Sequence, residues 1–309
     1  MQKDAVIYVA GHRGMVGSAI VRNLKGAGFS NIVTRTSKEL DLRDRGATNA
    51  FFEAEKPSYV FLAAAKVGGI LANDTQGGDF ILDNLLIQTH VIHAAYSNDA
   101  TKLLFLGSSC IYPKNAEQPI KEEALLTGEL EPTNLPYALA KIAGKVMCDA
   151  YRRQFGFDAF TVMPSNVYGI GDNFDPENSH VVAGLMRRFH EAKISSAPEV
   201  VAWGTGTPLR ELVYCDDLAD ACVHAMQHYS DGGMINVGTS QEWSIKELTE
   251  ITAKITGYEG KIVWDRSKPD GTPRKIMDNT KLHALGWSHR VDLEDGLARM
   301  YQWYQDNLR

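Results

Sequence analysis

The sequence has no Cys-x-x-Cys pair, no apolar run approaching the roughly 20 residues that span a bilayer, and no excess of positive charge. Its four cysteines, Cys110, Cys148, Cys215 and Cys222, lack any matching histidine spacing. Neither a zinc site nor a disulfide frame is expected, and they read as reduced thiols. Lys plus Arg number 32 against 38 for Asp plus Glu, a formal charge of −6, which excludes a surface built wholesale for nucleic acid or acidic lipid. An anionic ligand must therefore be gripped by local cations. The apolar stretch 5–10 is too short for a signal-peptide core and follows Asp4, and the later stretch 60–72 is broken by Lys66 and the Gly68-Gly69 pair. A cytosolic protein with no membrane partner is expected. Repeats and low-complexity tracts are also lacking.

What remains is 309 residues, 44% of them hydrophobic, enough for one large or two fused domains without a staple. Strand-like and helix-like runs alternate through the first half: strands at 6–10, 32–34, 59–64 and 103–107, helices at 15–27, 45–55 and 80–98. Such alternation predicts an α/β fold with a doubly wound parallel sheet. A polar insert at 113–136 precedes a helix at 137–155 and a strand at 160–163; beyond that, helices at 181–192, 245–256 and 292–307 sit among Gly, Pro and Asn clusters. The expected division is a Rossmann-type nucleotide-binding domain over 1–165, joined by short returns of chain from the second half, and a smaller mixed α/β substrate domain over 166–309.

The first strand runs into Gly11-His12-Arg13-Gly14-Met15-Val16-Gly17, with a helix-like run straight after. Glycines so placed let the backbone turn, approach a pyrophosphate and pack helix on sheet, while free N–H groups at the helix start face the anion. Where an NAD site commonly puts an acidic residue after the second strand, this chain has Thr34-Arg35-Thr36-Ser37. Arg35 with Arg13 suits the 2′-phosphate of NADPH. Tyr137 and Lys141 stand at i and i+4, on one face of a helix; a nearby ammonium would lower the phenol's pKa and ready it for proton transfer at a carbonyl oxygen. Ser108, at the end of the fourth strand, could share that oxygen.

With these residues in view the sequence resembles the extended short-chain dehydrogenase/reductase family, among its nucleotide-sugar members. The resemblance is carried by Gly-His-Arg-Gly-Met-Val-Gly-Ser (11–18), Ala-Ala-Ala-Lys-Val-Gly-Gly-Ile (63–70), Leu-Gly-Ser-Ser-Cys-Ile-Tyr-Pro (106–113) and Glu-Pro-Thr-Asn (131–134). It continues in Pro-Tyr-Ala-Leu-Ala-Lys (136–141), Asp-Asn-Phe (172–174), Asn-Ser-His-Val (178–181) and Lys-Pro-Asp-Gly-Thr-Pro-Arg-Lys (268–275). It implies an oxidoreductase in which Tyr137 protonates a sugar C4 oxygen, Ser108 hydrogen-bonds it, and Lys141 holds the nicotinamide ribose and tunes Tyr137. For NADPH it further implies Ser37, Asp41, Leu42, Ala63 and Ala64, then Leu106, Gly107, Pro164, Asn166, Val167 and His180.

Inverting a carbon beside a ketone needs a proton removed from one face and returned to the other. The resemblance assigns that pair to Cys110 and His180, without saying which is acid and which is base, and so implies C3 and C5 epimerisation of GDP-4-keto-6-deoxymannose before reduction at C4. Sugar dehydratases of the same family carry an Asp-Glu pair where this chain has Cys110-Ile111. On the substrate side it implies Arg188, Trp203, Arg210, Lys268 and Asp270, with Arg187 an alternative to Arg188. No metal is expected. A two-fold homodimer through helices 80–98 and 137–155 is the family's habit. The alternatives are a C4 epimerase using NAD transiently and a non-catalytic NADP-sensing protein on the same fold.

Overall fold

The computed structural model describes residues 1–176, 179–267 and 270–307, with the side chains of residues 70 and 71 outside that description. Its first half winds as β1 (Ile7–Ala10), α1 (Met15–Gly26), β2 (Ile32–Val33), α2 (Arg45–Glu55), β3 (Tyr59–Leu62), α3 (Ile70–Thr75), α4 (Gly77–Ser97), β4 (Lys102–Leu106), α5 (Leu135–Phe155) and β5 (Asp158–Pro164). All of Ile7–Ala10 and Lys102–Leu106 is buried, as expected of strands covered on both faces. That is why 7–10 and 103–106 read as unbroken apolar runs.

These strands form a parallel sheet of order β2-β1-β3-β4-β5-β9, where β9 (Met234–Val237) comes from the second half. Register is set by pairs such as Val9 with Phe61 and Leu104 with Phe160. The chain leaves β1 for β2 on one side and crosses to β3 on the other. A crevice therefore opens at the carboxyl ends of β1 and β3, where such sheets hold ligands. α4 and α5 pack together, and α1 packs against α7 (Cys215–His228). The sequence reading passed over α7, although its polar residues Asp216, Asp220, His224 and Gln227 recur at helical spacing opposite the buried Leu218, Ala219, Ala221, Cys222, Val223, Ala225 and Met226.

The second half also contributes β6 (Asn166–Tyr168), α6 (Val181–Ile194), β7 (Glu199–Trp203), β8 (Leu209–Tyr214), β10 (Glu242–Ser244), α8 (Ile245–Thr256), β11 (Lys261–Asp265), β12 (Arg274–Lys275), α9 (Thr280–Ala284) and α10 (Leu293–Asn307). β8 is the hub of a small sheet, flanked by β10 and β12 and paired with β6; β7 and β11 form a separate parallel pair. Among the described residues no helix is long and apolar enough to cross a membrane.

Candidate active site

The loop from β1 to α1 is shaped by close backbone approach. Gly11 has φ +86°, and a Cβ there would sit 2.6 Å from the Ala64 nitrogen, so the ends of β1 and β3 touch directly. Gly17 backs onto Gly11: an added Cβ would lie 2.6 Å from the Gly11 carbonyl carbon and nearer still to its oxygen. The first helical bond runs from Ser18 N–H to the Gly14 carbonyl, so the N–H groups of Met15, Val16 and Gly17 have no acceptor within the helix. α1 also has neither a capping side chain nor an acid in its first turn. A diphosphate suits this site: open donors, the positive end of the helix dipole and no competing carboxylate. His12 contributes a buried Nδ1 that lacks a hydrogen-bond partner among the described residues.

Arg13 is exposed beside this loop. Arg35 is engaged: it donates to the Thr34 carbonyl at 2.8 Å, pairs with Glu55 of α2 and lies over the Phe51 ring. The sequence reading missed Glu55, which lies 20 residues from Arg35 and meets it only through the fold. Ser37 is exposed, the Asp41 carboxylate is held by Arg43, and the Leu42 carbonyl faces His90 Nδ1. Hydrogen bonds from Arg43 keep the Asp41 carboxyl below its usual range. Ala63 and Ala64 follow β3, Leu106 and Gly107 end β4, and Pro164 ends β5, so these positions share the carboxyl rim of the sheet. Asn166 and Val167 begin β6, where Asn166 donates to the Glu211 carbonyl.

At the end of β4, Ser108 caps a turn of 3₁₀ helix over Ser109–Ile111, its Oγ accepting from Cys110 N–H at 3.3 Å. The chain is not extended from Ser108 to Cys110, and the turn brings Cys110 into a cluster with Phe80 and Tyr137. The Phe80 and Tyr137 rings meet edge to face at 6.3 Å. α5 delivers Tyr137 and Lys141 because Pro136 suits its first turn and Gly144 lets it settle onto Phe105, where a Cβ would be 2.6 Å from the ring. Lys141 Nζ then reaches the Leu106 carbonyl at 2.8 Å and lies 5.9 Å from the Tyr137 ring centre.

The electrostatics differ from the sequence expectation. Burial pushes the Tyr137 phenol up, Cys110 adds to that, and the Ser108 hydrogen bond opposes it. Burial likewise pushes Lys141 down to about 7. Tyr137 is therefore a protonated donor throughout the neutral range.

Because the folded Lys141 pKa lies below the ordinary 10.5, its burden on stability is full below about pH 7 and fades as pH rises toward 10.5. Lys141→Met is expected to stabilise the protein by about 1–3 kcal/mol at pH 6, with the gain shrinking by pH 9.5. Thermal melts at the two pH values measure it; an equal gain at both would contradict the burial argument.

His180 comes from a different segment as the N-cap residue of α6, and its Nδ1 lies 3.7 Å from Asp172. Asp172 raises the His180 pKa against the effect of burial. On the substrate side, Arg188 donates to the Val201 carbonyl at 2.9 Å and borders an open groove with Trp203, which is 64% exposed. Arg187 turns the other way, toward Glu191 and Tyr304. Arg210 donates to the Thr272 carbonyl at 2.6 Å. Burial depresses the pKa of both Arg188 and Arg210, and among the described residues neither makes a carboxylate ion pair, which suits them to an incoming phosphate. Asp270 accepts two bonds from Thr205, each 2.8 Å, that also hold its pKa down. Lys268 lies outside the described residues. Among the described residues no cluster of three metal-ligating side chains occurs.

Comparison with known proteins agrees with this arrangement. A curated putative GDP-L-fucose synthase 2 of Arabidopsis thaliana is 60% identical, covering 100% of this chain and 94% of that protein. The GDP-L-fucose synthase of Escherichia coli K12 is 54% identical, covering 97% of each. The crystal structure of a GDP-L-fucose synthetase from Naegleria fowleri bound to NADP superposes with TM-score 0.91 at 29% identity, covering 99% of this chain and 96% of that one. A profile described as "NAD dependent epimerase/dehydratase family" matches residues 7–238. With that span matched and the glycine loop, serine, tyrosine and lysine assembled on one sheet edge, the chain belongs to the NAD dependent epimerase/dehydratase family.

Proposed function

We infer that this chain is an NADPH-dependent epimerase/reductase that converts GDP-4-keto-6-deoxy-D-mannose to GDP-L-fucose, inverting C3 and C5 before reducing C4. The observation that carries this reading is the meeting of Ser108, Cys110 and Tyr137 at the end of β4, with β3 between them and the strand that leads into the diphosphate-shaped loop. When bound, NADPH supplies the hydride for C4. The side chains do the rest. Tyr137 and Ser108 grip the ketone oxygen, first easing loss of the neighbouring C–H protons by stabilising the enolate; Tyr137 then gives its proton to the C4 oxygen. Cys110 and His180 exchange protons at C3 and C5. Lys141, anchored on Leu106, orients the ribose. Arg188, Arg210 and Trp203 hold the nucleotide, with Asp270 pinning the adjoining loop.

In this reading residues 1–165, completed by β9 and α7, hold the cofactor and the rest of the second half holds the sugar nucleotide. The fit of a GDP-sugar is supported by the desolvated arginines, and a cytosolic setting by four free thiols, three of them buried. A homodimer through α4 and α5 is supported by Leu82, Leu139 and Val146, which those helices leave exposed; a monomer in light scattering would remove that part.

The direct test is incubation with GDP-4-keto-6-deoxy-D-mannose and NADPH, following absorbance of the reduced nicotinamide and identifying the sugar. Cys110→Ser is expected to slow C3 and C5 proton exchange with deuterated water by roughly 10²-fold or more, and reduction of an already epimerised ketone far less; the reverse order would refute the role of Cys110. Arg35→Ala is expected to raise KM for NADPH about tenfold, the cost of one charge-assisted contact, and to leave KM for NADH nearly unchanged. Equal effects on the two coenzymes would remove Arg35 from the 2′-phosphate site.

A further inference from the structure

The turn after β6 holds a carboxylate that the tyrosine cluster and the glycine loop do not use. The Asp172 side chain is only 4% exposed; Oδ1 accepts from Asn173 N–H at 2.7 Å and lies 3.7 Å from His180 Nδ1. Its other oxygen is buried and has no hydrogen-bond partner among the described residues. Burying an ionised oxygen this way is costly unless a cation or donor answers it. The facing imidazole is half exposed, and a turn of the ring, whose Nδ1 now stands 3.7 Å from Oδ1, would bring a donor to this carboxylate.

The turn is held from two sides independently of His180. Gly171, at φ +82°, backs onto the first turn of α1, where an added Cβ would lie 3.8 Å from Met15 Cα. Phe174 is buried against Trp303 and Tyr304 of α10, with ring centres 6.1 and 4.7 Å away. Asp172 N–H also donates to the Gly169 carbonyl. The carboxylate is thus placed in advance, and the ring comes to it. His180 starts α6 with its carbonyl bonded to Gly184 N–H, makes no side-chain cap bond, and has no acid in the following turn. An imidazolium at a helix N-terminus is disfavoured by the dipole. Asp172 supplies the negative charge that offsets this.

We propose that Asp172 is the positioning residue for His180: its buried carboxylate takes the Nδ1–H, fixing the ring's tautomer and turning Nε2 outward toward the sugar. This rests on the reading of His180 as one of the two epimerisation groups. In each exchange the proton passes between a sugar carbon and Nε2, while Nδ1 keeps its hydrogen and Asp172 stays ionised. Removing the carboxylate lowers the imidazole's affinity for a proton. The pH limb belonging to His180 then moves to lower pH whether the ring serves as acid or as base.

The test uses the full-length protein with ¹⁵N-labelled histidine, the His180 signal assigned by its loss in His180→Gln. In the wild type, His180 is expected to titrate above the ordinary 6.5 and, when neutral, to carry its proton on Nδ1; Asp172→Asn is expected to bring the titration down. In deuterated water Asp172→Asn is expected to slow C3 and C5 exchange roughly 10–100-fold, as for other partners that orient a working histidine, to move the exchange limb to lower pH, and to cost nothing further in the His180→Gln background. An unmoved titration, or an equal loss of exchange in the His180→Gln background, overturns the proposal. A titration that moves while the exchange limb stays put removes His180 from the epimerisation and the role of Asp172 with it. Should Asp172→Asn fail to fold, the wild-type titration decides: a midpoint at or below the ordinary value, or a proton on Nε2, overturns the pairing.

Discussion

Replacing Tyr137 with Phe is expected to lower kcat for ketone reduction by roughly 10²–10⁴-fold while changing substrate KM only a few-fold. Only the hydroxyl is lost. The ring keeps its edge-to-face contact with Phe80 and its place beside Cys110, so the fold and the pocket wall persist. What disappears is a donor held protonated by burial, and with it the proton for the C4 oxygen. Because the same hydroxyl steadies the enolate, C3 and C5 exchange is expected to fall too, unlike in Cys110→Ser, where exchange alone suffers most. Single-turnover reduction and exchange in deuterated water measure both. A loss under about fivefold in reduction would mean that another group protonates the oxygen.

Gly17→Ala is expected to cost about 2–4 kcal/mol of stability and to weaken NADPH binding by more than about 100-fold, or about 2.7 kcal/mol. The new methyl meets only backbone: the Gly11 carbonyl carbon at 2.6 Å and His12 Cα at 3.0 Å. No rotamer can relieve that. The loop must move, and it carries Gly11, which rests on Ala64, so the displacement spreads to the end of β3. Gly26→Ala is the control, since nothing lies within 4 Å of a Cβ there; at the end of α1 it is expected to stabilise by a few tenths of a kcal/mol and to leave affinity alone. Thermal melts and fluorescence titration with NADPH separate the two. Similar affinities in both variants would contradict the close-packed loop.

How far the molecule could be read from its residues depended on how local the determinants are. α8 runs over Ile245–Thr256 as the sequence expects, because Ser244 and Glu247 close a capping box at one end and Gly257, at φ 70°, terminates the other. Its signals lie within 14 consecutive residues, Ser244 to Gly257. The glycine loop, Ser108 and the Tyr137–Lys141 spacing were legible for the same reason. α7 was passed over even though Asp216, Asp220, His224 and Gln227 give it a polar stripe at helical spacing, so that miss was not for want of a local signal. Glu55 beside Arg35 and Phe80 against Tyr137 are meetings between separate segments, invisible until the fold brings them together; Asp172 and His180 are only eight residues apart, but no periodic spacing announces that they face each other. The direction of the Tyr137 shift was misread on similar grounds: spacing reports which groups are neighbours, whereas burial is a property of the whole fold.

The large sheet ends on β9, contributed by residues 234–237, and its neighbour β5 is buried along nearly its whole length. During synthesis, about 70 residues, from the end of β5 at Pro164 to Met234, must leave the ribosome before that flank is covered. Until then the nascent chain presents a ready-made apolar edge to any passing strand. Slowing translation between Pro164 and Val237 is therefore expected to lower the yield of folded protein, because it lengthens the time that edge stays open.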